Sequence, residues 1–99
     1  MKKKTAVESR VHAWFTGRVQ GVGFRYTAEK MALEIGLTGW VKNLPDGRVE
    51  MVCEGPREKI ELLLERIQES PMGHHIQKTQ RSWEAATGEF RDFNIEFHF

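Results

Sequence analysis

Apolar and polar residues alternate over 9–16, with Val11, Ala13 and Phe15 on one side and His12, Trp14 and Thr16 on the other. That period predicts a half-buried strand. Residues 1–8 are polar without a period and read as a loose N-terminal tail, leaving 9–99 as a single domain. Three of the chain's nine glycines then fall between Gly17 and Gly23, a loop with special backbone needs. From Phe24 the spacing changes: Phe24, Ala28, Met31, Ala32 and Ile35 recur every three or four residues and mark one face of a helix closed by Gly36. Residues 39–43 and 48–54 read as a hairpin joined by Leu44-Pro45-Asp46-Gly47. Gly55-Pro56 opens a second helix, with Pro in its first turn and Ile60, Leu63, Leu64 and Ile67 as its buried stripe; Ser70-Pro71-Met72-Gly73 closes it. Residues 76–84 form a weakly patterned polar strand suited to a sheet edge, and Phe93, Ile95, Phe97 and Phe99 alternate with Asn94, Glu96 and His98 as a last strand.

The predicted order is β-α-β-β-α-β plus a C-terminal strand. Each crossover must cover the same side of the sheet, so both helices pack on one face of a mainly antiparallel sheet. The fold class is α+β, a ferredoxin-like sandwich. That architecture hosts many unrelated activities and decides nothing about function by itself.

Composition removes several classes of function. At 99 residues the chain is too short for two independent cores, and 39% hydrophobic with 29% charged residues is ordinary for a folded soluble chain. The net charge is +1, and without the run Lys2, Lys3, Lys4 it turns slightly acidic, so no nucleic-acid footprint is visible. Glu8, Ser9 and Arg10 interrupt the start before a secretory apolar stretch can form, and no apolar run is long enough to span a membrane. The lone Cys53 has no disulfide partner, which makes a reducing, cytoplasmic setting the expectation. In step with Val49 and Met51, it reads as a buried small apolar residue rather than a nucleophile. His12, His98 and the pair His74-His75 lack the spacing of common zinc sites, and no metal is expected.

The informative stretch is Gly21-Val22-Gly23-Phe24-Arg25, between the first strand and the first helix. Successive N–H groups of a glycine-rich turn converge into a nest for an anion, and the positive end of the following helix adds to the field. Arg25, at the helix opening, carries a fork suited to bidentate pairing with phosphate oxygens. The loop lacks the Gly-Lys-Ser/Thr ending of a nucleotide-binding loop, so ATP is not expected. The structural alternative is a tight turn with an exposed Arg. Asn43, ending its strand before Leu44-Pro45, either faces the same site or caps the turn.

The stretches Gly17-Arg18-Val19-Gln20-Gly21-Val22-Gly23-Phe24-Arg25 and Gly39-Trp40-Val41-Lys42-Asn43-Leu44-Pro45-Asp46-Gly47-Arg48-Val49-Glu50 closely resemble the two signatures of the acylphosphatases. Their separation and the β-α-β-β-α-β order match too, over about residues 9–69. Beyond Pro71 the segment Pro71-Met72-Gly73-His74-His75-Ile76 departs from the Gly-Pro-Pro-rich stretch of bacterial members. The resemblance implies a monomeric hydrolase of small-molecule acyl phosphates, with no metal or cofactor, and with inorganic phosphate as product and inhibitor. By the same resemblance Arg25 binds the phosphate, Asn43 orients the attacking water, and the N–H groups of Gln20, Gly21, Val22, Gly23, Phe24 and Arg25 complete the cradle.

This chemistry asks little of side chains. The leaving carboxylate has a conjugate acid of pKa near 4, so no general acid is needed, and a neutral amide can orient water but cannot serve as a base. An RNA-recognition module shares the topology but places stacking aromatics within strands on a basic face, whereas here Phe24 opens a helix. A non-catalytic domain for a phosphorylated metabolite would keep the cradle and have no use for Asn43.

Overall fold

A computed structural model describes residues 8–97, so the Lys2, Lys3, Lys4 run, nearly all of the tail, and His98 and Phe99 lie outside the described residues. In chain order the elements are β1 (Glu8–Gly17), α1 (Phe24–Ile35), β2 (Thr38–Asn43), β3 (Val49–Pro56), α2 (Arg57–Glu69), a 3-10 helix (Pro71–His75), β4 (Ile76–Ala85) and β5 (Phe93–Glu96). The five strands form one sheet in the order β4-β1-β3-β2-β5. β1 pairs antiparallel with β3 and β4, and β3 antiparallel with β2; β2 and β5 are parallel. This is the ferredoxin-like α+β sandwich that the hydrophobic pattern predicts.

Register decides which side chains go inward. Val11, Ala13 and Phe15 of β1 stand opposite Cys53, Met51 and Val49 of β3, and Val41 of β2 stands opposite Met51. All seven are buried, and they meet Phe24, Ala28 and Ala32 of α1 and Ile60, Leu63, Leu64 and Ile67 of α2 in one core. The other face of the sheet carries Arg10, His12 and Trp14 beside Trp40, Lys42 and Glu50. Trp14 and Trp40 are half-buried there: His12 stacks on Trp14 and turns an edge to Trp40.

Three differences from the sequence reading bear on the fold. Glu8, assigned to the tail, is the first residue of β1 and pairs with Pro56. Gly55 and Pro56, assigned to the second helix, end β3 instead, and Pro56 (φ −59°, ψ 135°) stands at the N-cap outside α2. A proline's fixed φ suits either place, and pairing with the start of β1 settles it. Finally, β5 stops at Glu96, so Phe97 lies beyond the strand and is 62% exposed rather than part of an inward row.

Because β1, β2 and β5 run the same way, their C-terminal ends share one edge of the sheet. Gly17, Asn43 and Phe97 are therefore brought to the end where α1 begins.

Candidate functional site

β1 leaves the sheet at Gly17, where its register with β4 shifts. A side chain could not follow there: φ is +135°, and a Cβ would lie 2.2 Å from the carbonyl oxygen of His75. That carbonyl accepts the Arg18 N–H at 2.9 Å, fixing the base of the loop to the end of the 3-10 helix. Val19 and Phe24 are buried, Val22 packs against the core, and the Phe24 ring lies 4.8 Å from that of Phe15. The apolar residues thus anchor the loop while Gly21 and Gly23 remain exposed at its crest.

Gly23 is the N-cap of α1, in the left-handed region at φ 83°, ψ 15°, which favours glycine. Among the described residues no side chain caps this helix, and its first turn holds no acidic residue. The first N–H groups of an α-helix have no partner within it, so those of α1 are left to an outside acceptor, at the positive end of the dipole. α2 is built otherwise, with Glu58 in its first turn. Arg25 follows in the first turn of α1, and among the described residues its guanidinium has no carboxylate partner, whereas Arg48 and Arg57 each have one and Arg10 has two. An unneutralised cation beside uncapped N–H groups suits an oxyanion.

Asn43 ends β2 opposite Val49, which stands opposite Phe15. It therefore occupies the inward row of Gly39 and Val41, where a side chain of core parity is expected. Its Oδ1 is buried and, among the described residues, has no hydrogen-bond partner. A buried acceptor left unpaired costs about 1–3 kcal/mol and calls for an explanation.

The turn that follows does not use Asn43 as its cap. Leu44 N–H donates to Arg48 O at 2.8 Å, and Gly47 N–H to Leu44 O at 3.1 Å. The Asp46 carboxylate accepts from Arg48 N–H at 3.0 Å and from Arg48 Nε at 2.9 Å. These bonds, the backbone one first, hold its pKa below the usual carboxylate value. The Gln20 side chain supplies the remaining contacts: Nε2 donates to Leu44 O at 2.8 Å and to Arg48 O at 2.9 Å. Through this amide the loop after β1 is bound to the turn directly after Asn43.

Two features are not apparent from the sequence alone. Gln20 acts through its side chain as well as its backbone, and the Phe97 ring centroid lies 5.1 Å from Cζ of Arg25. No local period signals a hydrogen bond between residues this far apart in the chain. Asn43 did carry a signal, namely a polar residue in step with inward Val41.

Cys53 is buried, and burial first, with the neighbouring Glu54 charge, pushes its thiol up to about 12. Among the described residues no three His, Cys, Asp or Glu side chains gather as a metal-ligating group. None of the described helices is long and apolar enough to cross a membrane. A cleft of about 710 Å³ lies between α2 and β4, but Glu58, Glu61, Glu65 and Glu69 line it against one Arg81, a field that repels phosphate.

Comparison with known proteins follows the same lines. Residues 11–95 match the family model described as Acylphosphatase. An acylphosphatase of Nocardia farcinica is 46% identical over 84 residues, covering 85% of this chain and 84% of that one. One of Thermus thermophilus is 47% identical over 79 residues, covering 80% and 90%. Among solved structures, the acylphosphatase of Bacillus subtilis superimposes with a TM-score of 0.81 at 33% identity, covering 89% of this chain and 98% of that one.

Proposed function

The chain belongs to the acylphosphatase family and hydrolyses acyl phosphates, mixed carboxylic-phosphoric anhydrides; we propose that it does so with Arg25, Asn43 and the main-chain N–H groups of residues 20–25. In this reading the N–H groups of Gln20, Gly21, Val22, Gly23, Phe24 and Arg25 surround the phosphoryl oxygens, and the Arg25 fork pairs with two of them. Asn43 Oδ1 accepts one O–H of a water, which turns the water's lone pair toward phosphorus. The new P–O bond forms as the P–O bond to the acyl group breaks, and that electron pair leaves on the carboxylate. The water's proton passes to a phosphate oxygen, giving a carboxylate and inorganic phosphate.

The observation that carries this reading is the buried Oδ1 of Asn43, without a partner among the described residues, at the end of an otherwise apolar row. As a neutral acceptor it orients water without competing for the phosphate-binding donors. Catalysis here is positioning together with charge stabilisation, as in phosphoryl transfer generally, and a carboxylate leaving group needs no proton. Arg25 and the N–H groups offset the charge on phosphate, so the scheme needs neither metal nor cofactor. Its groups all come from one chain, and a monomer suffices. The lone thiol of Cys53 suits the reducing cytoplasm, the compartment we propose.

The test is inhibition. Inorganic phosphate competes with acetyl or benzoyl phosphate in the wild type, and Arg25→Ala lowers kcat/KM by at least about 10²-fold while weakening phosphate binding. An Arg25→Ala enzyme with wild-type turnover and phosphate affinity contradicts the assignment.

A further inference from the structure

We infer that Phe97 is a positioning residue of the phosphate site, its ring carrying the guanidinium of Arg25 so that the fork stays turned to the main-chain cradle. The inference rests on the reading of Arg25 as the phosphate ligand. Cζ of Arg25 lies 5.1 Å from the ring centroid, within the range of a cation–π contact. β5 runs parallel to β2 with Glu96 opposite Lys42, so the next residue, Phe97, leaves the sheet beside Asn43. The ring is 62% exposed, which means that burial in the core is not what it contributes.

The choice of partner matters to an anion site. A carboxylate would hold Arg25 by the same N–H donors that phosphate needs, and would neutralise its charge. Among the described residues Arg25 has no such partner. An aromatic ring instead meets the flat face of the guanidinium and leaves its in-plane N–H edge free. Phe97 thereby restrains a long, flexible side chain without competing for the ligand.

The experiment measures inorganic phosphate binding by titration calorimetry, and kcat and KM for acetyl phosphate, in wild type, Phe97→Ala, Phe97→Leu, Phe97→Tyr and Arg25→Ala. Phe97→Ala and Phe97→Leu weaken phosphate binding and raise KM about three- to tenfold, with a smaller change in kcat, while Phe97→Tyr stays within about twofold of wild type. Leucine keeps much of the apolar bulk but lacks a π face, so a Leu variant equal to wild type overturns the inference, as does an Ala variant equal to wild type. Should Arg25→Ala lose phosphate while every Phe97 variant is unchanged, this inference alone fails. Should Arg25→Ala bind phosphate as wild type does, the reading of Arg25 fails and this one with it.

Discussion

Replacing Gln20 by Ala removes the two hydrogen bonds that join the glycine-rich loop to the turn after Asn43, at 2.8 Å to Leu44 O and 2.9 Å to Arg48 O. Each is worth about 1 kcal/mol net, so the direct loss is about 2 kcal/mol. The larger penalty for orphaned carbonyls is avoided, because Leu44 O still accepts from Gly47 N–H and Arg48 O from Leu44 N–H. For a domain of this size 2 kcal/mol lowers Tm by about 8–16 °C. Under the proposed scheme the catalytic effect is larger than the bond count suggests, since a shift of about 1 Å between Asn43 and the cradle should cost on the order of 10²-fold in rate. Thermal unfolding followed by circular dichroism and acetyl phosphate turnover well below Tm measure the two effects separately. Gln20→Glu provides the sharper case: an ionised carboxylate donates nothing and faces two carbonyl oxygens, so it should turn over more slowly than Gln20→Ala. A Gln20→Ala enzyme with wild-type Tm and kcat would refute the argument that this side chain registers the loop against Asn43.

Two further predictions concern buried groups outside the site. Burial alone would raise the pKa of Glu54, but the Thr87 N–H, the Arg10 guanidinium, the Gly88 N–H and the Thr87 hydroxyl outweigh it, and the net shift is downward from 4.5. The stability it contributes is therefore complete above the ordinary carboxylate range and is lost as pH falls through its depressed value. In urea unfolding, Glu54→Gln should destabilise more at pH 7 than at pH 3, and equal losses at both would show that its charge is not involved. With Cys53 fully buried and its thiol raised to about 12, iodoacetamide at pH 8 should leave the native protein unmodified and label it only in denaturant. Native labelling at the rate of a free thiol would count against that burial.

Much of this site is legible in the chain because its signals are local. The switch from alternating Val11, Ala13 and Phe15 to the three-four spacing of Phe24, Ala28 and Ala32 places the glycine-rich loop at a strand-to-helix junction, and both ends of that switch are observed. What the sequence hides depends on tertiary pairing. Gly55-Pro56 satisfies a helix start locally, yet pairing with Ser9 and Glu8 holds it in β3. Phe97 continues the rhythm of Phe93 and Ile95, but the strand ends one residue before it and the ring meets Arg25 instead. The neighbours of β4 and β5 could not be read either, because they lie on β1 and β2, far off in sequence. The side-chain contacts of Gln20 are of the same kind.

The central claim is that Asn43 acts on water and not on phosphate, and comparing Asn43→Ala with wild type for both turnover and phosphate binding tests it most directly. The account predicts that kcat for acetyl phosphate falls by about 10² or more while inorganic phosphate binds within about threefold of wild type. Turnover at the wild-type rate, or a loss of phosphate affinity that matches the loss of kcat, would contradict it.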